Sequence, residues 1–238
     1  MVVGSGQLAE VFYHYKDDDS VVIFASGVSN SNCTEQKEFD REGKLLEATL
    51  KNNSDKKFVY FSSCALSVED YPKNKYYQHK QKMETLIENL SDKYYIFRVP
   101  QLFGNLKLHN TLINYIYNAI ENNNKIKLYS DAYRYVIEIE DVKKIVDSYL
   151  LNSPSCSIID VANPYRYKVL DIIKIFEGLL NKQADITVVD RQDKYVLDLS
   201  KFYSFIETNN LDIEFGEGYL KKKLYEKIEK ISRLCAQK

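Results

Sequence analysis

The sequence predicts an α/β protein built on a doubly wound parallel sheet, and three observations support that prediction. Short, continuous apolar runs alternate with segments of helical periodicity along most of the chain. A glycine turn joins the first apolar run to the first helical segment. The chain has 238 residues, enough for one sizeable core and a small additional lobe, so we expect a single unit over residues 1–238.

The first hundred residues show the alternation of strands and helices most clearly. Residues 21–25 form an apolar run of the kind that a parallel strand buried on both faces requires. Pro100 ends the last strand of this part because proline cannot donate to a strand ladder. The predicted strands cover residues 1–3, 21–25, 57–61 and 94–99. The predicted helices cover residues 8–15, 38–50 and 76–90.

Beyond Gly104 the alternation continues less regularly. The predicted helices there cover residues 111–122, 141–150, 169–180 and 219–233. The predicted strands cover residues 134–139, 157–161 and 185–189. Within the single unit we expect a sheet domain of residues 1–104 plus 134–162, and a smaller lobe of residues 105–133 plus 163–238.

The charge balance and the hydropathy argue against two classes of partner. Lys and Arg number 33 against 34 Asp and Glu, a formal net charge of -1, so no global basic field favours nucleic acid or an anionic membrane. No stretch approaches the ~20 apolar residues of a membrane span, and the first residues lack a basic segment followed by an apolar run. We therefore expect a cytoplasmic protein, which could still hold a small anionic ligand locally.

The cysteines and histidines give no sign of a metal site. The four cysteines are widely spaced and form no Cys-x-x-Cys pair, which favours reduced thiols. They are Cys33, Cys64, Cys156 and Cys235. His14 and His109 have no partner at metal-ligand spacing, so we expect surface or packing roles for them. We expect His79 to be exposed.

The glycine turn has the form Gly4-x-Gly6-x-x-Ala9 between a strand and a helix. Glycines there allow a tight turn and a close backbone approach, and the helix N-terminus presents unpaired N–H groups to a pyrophosphate. The physical logic fits dinucleotide binding. A plain strand-to-helix turn can use the same residues, so the turn alone leaves both interpretations open.

Tyr76-x-x-x-Lys80 is the second local pattern with chemical meaning. Residues four apart on a helix face the same way, so the Lys80 ammonium can lie near the Tyr76 phenol. A neighbouring cation favours phenolate and lowers the tyrosine pKa from about 10 towards a value useful for proton transfer. The chain contains 20 tyrosines and is rich in lysine, so an accidental pair of this spacing is the competing interpretation.

Six segments, in the same order, resemble the extended short-chain dehydrogenase/reductase family. The resemblance covers most of the chain and implies a Rossmann-type α/β fold with a small C-terminal substrate lobe. The segments are residues 19–27, a strand that ends beside the cofactor; 41–48, the following helix; 58–63, a serine-bearing strand; Tyr76 to Glu84, the catalytic helix; 98–104, the next strand; and 134–142, a late strand and helix start.

Carried over to this sequence, the resemblance implies that Tyr76 is the general acid/base, and that Lys80 lowers its pKa and binds the nicotinamide ribose. The family places a Ser or Thr hydroxyl on the substrate oxygen, and that place falls here on Cys64, with Ser63 beside it. A thiol is a poor hydrogen-bond donor, so either Ser63 substitutes or the chemistry is altered. The implied cofactor is NAD or NADP. Its implied ligands are Gly4, Ser5, Gly6, Gln7, Leu8, Ala25, Ser26, Gly27, Tyr76, Lys80, Val99 and Pro100.

The chain departs from the family between the glycine turn and the strand that ends at Gly27. Family members insert two further strands there, and the first of them ends in the residue that binds the adenosine ribose. Here the first helix leads directly to Asp17-Asp18-Asp19 and the next strand. We therefore predict a sheet shortened by two strands at one edge, without that ribose ligand.

The resemblance implies an NAD(P)-dependent epimerase or reductase that acts on a nucleotide-activated sugar, an activity that the family uses in polysaccharide biosynthesis. Dehydratases of the family carry an acidic pair after the serine-bearing strand, and Cys64-Ala65-Leu66 offers none, which disfavours dehydration. The alternative is a non-catalytic Rossmann scaffold with a degenerate cofactor site, favoured by Cys64 and by the missing strands. Many relatives dimerise through the helices equivalent to 38–50 and 76–90, so a homodimer is a further expectation.

Overall fold

The structure, a computed structural model, describes residues 1–107 and 111–236, with side chains as far as Arg233 in the last helix. The expectation for His109 therefore lies outside the described residues. The expectation for Cys235 lies outside the described side chains.

The helices and strands follow one another along the chain as the sequence predicts, with four additions. The first half forms β1 (Val2–Val3), α1 (Gln7–Val11), β2 (Val21–Phe24), α2 (Gln36–Lys51), β3 (Lys57–Ser63), α3 (Lys75–Leu90), β4 (Tyr94–Val99) and β5 (Gln101–Phe103). The second half forms α4 (Leu112–Glu121), β6 (Ile126–Arg134), β7 (Val136–Glu138), α5 (Ile139–Asn152), β8 (Ser157–Asp160), β9 (Tyr167–Lys168), α6 (Val169–Leu180), β10 (Ile186–Asp193), α7 (Ser200–Thr208) and α8 (Tyr219–Ala236).

The chain divides into two compact units, which are described separately. Unit 1 comprises Met1–Val99, Val142–Val161 and Leu197–Leu211. Unit 2 comprises Pro100–Asp141, Ala162–Val196 and Asp212–Lys238. These bounds differ from the expected ones in four places: residues 100–104, 134–141 and 162 belong to unit 2, and Leu197–Leu211 belongs to unit 1.

The sheet of unit 1 contains five parallel strands in the order β1-β2-β3-β4-β8. β2 is buried at all four positions, as an apolar strand covered on both faces must be. Between α1 and β2 the chain passes only through a short 3-10 turn at Tyr13–Tyr15, and β1 pairs directly with β2. The predicted doubly wound sheet, shortened by two strands at one edge, is therefore confirmed.

Helices cover both faces of this sheet. On one face α2 and α3 contribute to a core with the strands, formed by Val22, Phe24, Leu46, Leu50, Phe58, Tyr60, Met83, Ile87 and Ile96. The other face is closed by aromatic rings: Phe12 stacks on Phe61 with ring centroids 5.4 Å apart, and Phe97 meets Tyr149 of α5 at the same separation. Tyr149 in turn contacts Phe205 of α7 at 4.6 Å.

Four elements of the structure are missing from the sequence prediction: β5, β6, β9 and α7. The sequence prediction contains no helix at α7, although Phe202, Phe205 and Ile206 recur there at helical spacing. Phe202 and Ile206 are buried. The strand predicted over residues 134–139 is confirmed only as the shorter β7, because β6 ends at Arg134 and α5 already begins at Ile139. β6 extends back to Ile126, where buried and exposed residues alternate in a strand pattern.

Unit 2 contains smaller sheets. β6 pairs with β10 in parallel and with β9 in antiparallel, and β5 pairs with β7 in parallel. α4, α6 and α8 pack beside them around an apolar core that includes Phe103, Ile113, Ile116, Ile120, Val136, Ile172, Phe176, Leu220 and Leu224.

Leu46→Ala is expected to lower the free energy of unfolding by about 2–5 kcal/mol, because Leu46 is 0% exposed in the core of unit 1. Leu151→Ala is the matched control, since Leu151 is 83% exposed near the end of α5 and should change stability by less than about 0.5 kcal/mol. Denaturant unfolding followed by circular dichroism measures both. Equal losses in the two variants would contradict the packing of α2 on the sheet.

Candidate active site

The glycine turn lies against the end of the neighbouring strand. Gly4 has a φ of +132°, in the region that favours glycine, and a Cβ added to it would stand 2.5 Å from the carbonyl oxygen of Ala25. Ala25 N donates to Val3 O at 2.8 Å, which fixes this close approach. Gly4 is therefore required for steric reasons, both by its own dihedral angle and by the neighbouring backbone.

The other side of the turn is open. No atom lies within 4 Å of the place where a Cβ on Gly6 would stand, and Gly6 is the N-cap of α1 without a side-chain cap. Ser5 is exposed and Leu8 is half-buried. Gln7 Oε1 is buried and has no hydrogen-bond partner within residues 1–107 and 111–236. The turn thus offers free space and an unpaired polar atom, although α1 has only five residues.

The segment Ala25–Gly27 leads from the glycine turn to a buried ionic cluster. The Arg41 guanidinium donates to Ser26 Oγ at 3.2 Å and to Ser26 O at 3.1 Å. A Cβ on Gly27 would lie 2.6 Å from Lys80 Nζ and 3.0 Å from Glu42 Oε1. The absence of a side chain at Gly27 is therefore what allows the ionic groups to pack against this backbone.

The Glu42 cluster consists of Glu42, Tyr60, His79 and Lys80, all buried. Glu42 Oε1 accepts hydrogen bonds from the Tyr60 hydroxyl at 2.7 Å and from Lys80 Nζ at 3.1 Å. Glu42 Oε2 accepts one from Val28 N at 2.6 Å and lies 2.9 Å from His79 Nε2. The expectation that His79 is exposed is wrong, because its ring is buried against Phe39 with centroids 4.6 Å apart.

The cluster keeps Glu42 ionised inside the protein. Burial by itself would raise the pKa of Glu42, but the Lys80 ammonium and the hydrogen bonds from His79, Tyr60 and Val28 outweigh it and lower the pKa to about 2. The same carboxylate acts on Tyr60, whose pKa is raised well above its ordinary value by burial and then by the Glu42 charge. Glu42 and Lys80 therefore form a charged pair, with Tyr60 as a neutral donor.

Sequence reasoning missed Glu42, although a signal was present. Phe39, Glu42, Leu46 and Thr49 recur at helical spacing and form the buried face of α2. A glutamate in the middle of such a face needs buried donors. The position therefore indicated a polar cluster, but not which residues complete it.

Lys80 uses all three of its N–H groups inside unit 1. Besides Glu42, its ammonium donates to the Tyr60 hydroxyl at 3.0 Å and, at 3.5 Å, towards the carbonyl oxygen of Phe61. An ammonium has three donors and no acceptor. A ribose hydroxyl could bind Lys80 only by replacing one of these partners.

Tyr76 lies in the first turn of α3, which is capped by the Asn74 side chain. The Tyr76 residue is 8% exposed. Lys80 Nζ is 5.9 Å from the centre of its ring. Burial raises the pKa of Tyr76 above its ordinary value, and the charges of Tyr77 and Glu42 add to that rise. The predicted lowering of the Tyr76 pKa is therefore wrong for this structure, chiefly because the phenol is buried.

Ser63 and Cys64, at the end of β3, differ in their exposure to solvent. Ser63 is partly exposed, and its Oγ accepts from Ala65 N at 3.4 Å. Cys64 is fully buried, its thiol donates to Arg98 O at 3.0 Å, and burial raises its pKa. Val99 is buried opposite Ser63 in the strand register, and Pro100, half-buried, begins unit 2. Ser63 is thus the more accessible of the two predicted hydroxyl or thiol groups.

A second ionic network, also missed from the sequence, lies one turn further along α3. The Glu84 carboxylate accepts hydrogen bonds from Arg98 Nε at 3.0 Å and from Arg98 Nη2 at 2.6 Å, so the two side chains form a bidentate pair. Arg98 Nη1 donates to Ser67 Oγ at 3.0 Å, and Ser67 donates to Asp160 Oδ2 at 2.6 Å. The spacing of Tyr76, Lys80 and Glu84 therefore places three buried side chains on one face of α3.

The remaining cysteines and histidine named in the sequence analysis do not form a catalytic or metal-binding group among the described residues. Cys33 and Cys156 are free thiols, and His14 lies 3.4 Å from Asp147 with both side chains partly exposed. Within residues 1–107 and 111–236, no three His, Cys, Asp or Glu side chains converge as metal ligands would. Over the same residues, no helix is long and apolar enough to cross a membrane.

Comparison with known proteins identifies the architecture by structure alone. No protein-family model matches the chain, and comparison with curated proteins finds no sequence match. Its structure is similar to UDP-glucuronic acid 4-epimerase from Bacillus cereus in complex with UDP-glucuronic acid and NAD, with a TM-score of 0.73 and 16% identity over 93% of this chain and 79% of that one. It is also similar to dTDP-4-dehydrorhamnose reductase from Bacillus anthracis in complex with NADP, with a TM-score of 0.70 and 15% identity over 94% and 85%.

The chain has the Rossmann-type α/β fold of these structures. A third similar structure, dTDP-glucose 4,6-dehydratase from Bacillus anthracis in complex with NAD, has a TM-score of 0.70 and 15% identity over 94% of this chain and 77% of that one. At such low sequence identity the likeness establishes the fold. The chemistry of the site depends on its own residues. The expected resemblance is confirmed at that level.

Glu42 is expected to make the stability of this fold sensitive to acid. Its pKa falls from an ordinary value of 4.5 to about 2 in the folded state. A depressed carboxyl pKa contributes stability that is complete above the unfolded-state value and is lost as pH falls through the folded-state value. The free energy of unfolding of the wild type should therefore decrease between about pH 4.5 and about pH 2.

Glu42→Gln should lack this part of the pH dependence, whereas Glu47→Gln, at a half-exposed position of the same helix, should retain it. Denaturant titrations at a series of pH values measure the two slopes. A Glu42→Gln slope equal to that of the wild type would contradict the depressed pKa.

Proposed function

We propose that the protein is an NAD(P)-dependent epimerase or reductase that acts on a nucleotide-activated sugar. The observation that carries the proposal is the segment Ala25–Gly27, which contacts Gly4 at one end and Lys80 at the other. A phosphate-type turn and a Tyr-Lys pair are thereby brought to the carboxyl ends of adjacent parallel strands. Ligands of open α/β sheets bind at this edge.

The residues of the turn fit a dinucleotide. Gly4, Ser5, Gly6, Gln7 and Leu8 would hold the pyrophosphate, because Gly6 leaves open space there and Gln7 Oε1 is buried without a partner in the described residues. The strand-end residues 25–27, with Val99 and Pro100, would line the nicotinamide side. When bound, the cofactor supplies or accepts a hydride. The similar structures, crystallised with NAD or NADP, support either form.

Within such a site the hydroxyl of Tyr76 would move the proton of the reacting sugar oxygen. Ser63 would orient that oxygen, since its side chain is partly exposed, whereas the Cys64 thiol is committed to Arg98 O. Lys80 would fix the position of the Tyr76 ring through the Glu42 cluster. We propose these roles together with the substrate class, which the nucleotide-sugar complexes of similar proteins support.

Four further expectations stay predictions. A homodimer would use α2 and α3, the helices equivalent to the contact surface of many relatives. The expected cytoplasmic location rests on the hydropathy of the sequence, and the expected role in polysaccharide biosynthesis rests on the family resemblance. The proposed division into a cofactor-binding part and a substrate lobe awaits a bound ligand.

A non-catalytic scaffold is the second candidate function. Two observations favour it: Lys80 has no free N–H group, and Cys64 is buried where the family carries an accessible hydroxyl. Such a protein would keep the fold and use it to bind a partner. The two tests below separate it from the enzyme.

Gly6→Asp is expected to weaken the binding of NAD, NADH, NADP or NADPH by about tenfold or more, a loss of about 1.4 kcal/mol, because a carboxylate would enter the space proposed for the pyrophosphate. Isothermal titration calorimetry with each nucleotide measures this. Gly178→Asp is the control, since that position in α6 also has open space around a Cβ. Absence of binding to the folded wild type at millimolar nucleotide would overturn the enzyme proposal.

Tyr76→Phe is expected to lower hydride transfer by about a hundredfold or more while leaving nucleotide affinity within about twofold, because it removes only the proton-transferring hydroxyl. The assay follows the nicotinamide absorbance in both directions, with the oxidised cofactor and UDP-glucuronic acid, UDP-glucose or dTDP-glucose, and with the reduced cofactor and a nucleotide sugar that carries a keto group. Tyr225→Phe, at an exposed position of α8, is the control. Full activity in Tyr76→Phe would remove Tyr76 from the mechanism.

A further inference from the structure

The groups around Tyr76 decide which way it moves a proton. Its ring packs with Val28 and Phe39 in a small buried cluster. The titratable groups that face the cluster or interact with Tyr76 come from four elements: Cys33 from the loop before α2, Glu42 from α2, Tyr60 from β3, and Tyr77 and Lys80 from α3. Among them, Glu42 and Lys80 are the two that form the buried ion pair.

That ion pair removes the positive field on which a phenolate depends. Lys80 Nζ lies 3.1 Å from Glu42 Oε1, and the two side chains are 3% and 0% exposed, so little solvent screens either charge. Opposite charges this close act on a third group as a dipole rather than as a cation. The raised pKa of Tyr76, caused by burial and then by the charges of Tyr77 and Glu42, agrees with this geometry.

We infer that the Glu42–Lys80 ion pair holds Tyr76 as a proton donor, so that the site serves reduction of a carbonyl group on a nucleotide sugar rather than oxidation of a hydroxyl group. The inference rests on the proposed function and selects one direction within it. Oxidation, which is also the first step of an epimerisation, needs Tyr76 to accept a proton and therefore to be a phenolate beforehand.

The reduction balances with groups that the proposal already names. The carbonyl carbon gains a hydride, and with it two electrons, from NAD(P)H, and the carbonyl oxygen gains the proton of Tyr76. The C=O π bond is replaced by one C–H and one O–H bond, so the ketone becomes a secondary alcohol and the cofactor becomes NAD(P)⁺. Solvent then returns a proton to the Tyr76 phenolate.

Glu42 is a positioning residue in this arrangement, because it acts on Tyr76 through Lys80 and touches no reacting atom. A purely structural role for Glu42 would affect stability alone. The proposed role requires in addition that removal of its charge changes the protonation of Tyr76.

The test measures that protonation directly. Protein labelled with ¹³C at tyrosine Cζ gives one NMR signal per tyrosine, and the signal missing from Tyr76→Phe identifies Tyr76. In the wild type, the Tyr76 signal should stay in its phenol form over the whole pH range in which the protein remains folded. Titration of this signal below the ordinary tyrosine pKa of about 10 would overturn the inference without any further variant.

Glu42→Gln tests the cause of this protonation. With Lys80 unopposed, the Tyr76 pKa should fall by about one unit or more relative to the wild type. The double variant Glu42→Gln with Lys80→Met restores a neutral pair and should return Tyr76 to its phenol form, while Glu47→Gln should leave its signal unchanged. An unshifted Tyr76 in folded Glu42→Gln would contradict the inference, and the wild-type titration still decides if that variant does not fold.

Calorimetry with NADPH and NADH on the same samples tests the proposed function separately from the inferred direction of reaction. Failure of the folded wild type to bind either nucleotide would remove the proposed function. Binding by the wild type, together with a Tyr76 that titrates as a phenolate, would leave the enzyme intact and overturn only the direction of reaction inferred here.

Discussion

The buried carboxylate of Glu42 is the constraint on which the rest of the candidate site depends. Its oxygens are hydrogen-bonded to the backbone after β2, to β3 and to two residues of α3. A charge that loses its partners inside a protein costs several kcal/mol, so every one of these donors must keep its place for α2 to pack on the sheet. The position of α3, and with it that of Tyr76, is therefore coupled to one side chain of a different helix.

The shortened sheet distributes the proposed cofactor contacts unevenly. β1 is an edge strand of the sheet in the described residues. The backbone of Gly4 packs so closely against Ala25 that a side chain at this position would clash with it. The pyrophosphate side thus keeps the steric features of a dinucleotide site, whereas the strand end that would carry a ribose ligand is missing between α1 and β2. Affinity for the proposed cofactor would then depend mainly on the glycine turn and on residues 25–27.

Local sequence patterns predicted the fold well because its elements are set by local periodicity. α6 has the predicted bounds, Val169–Leu180, and the five parallel strands of unit 1 all overlap strands predicted from the alternation of apolar runs and helical segments. The Glu42 cluster lay beyond such reasoning, since its partners stand 18, 37 and 38 residues away from Glu42. The periodicity of α2 indicated a buried glutamate, but only the register between α2, β3 and α3 reveals which donors it meets.

The same limit applies to the chemistry of the Tyr76 and Lys80 pair. Spacing on one helix brings an ammonium near a phenol, but the sign of the field at that phenol depends on the counter-ion that the rest of the fold supplies. Here the counter-ion comes from α2, is fully buried and is held by four groups. A tyrosine and a lysine four residues apart can therefore serve opposite proton transfers in two proteins of one fold, and the residue that distinguishes them lies outside the motif.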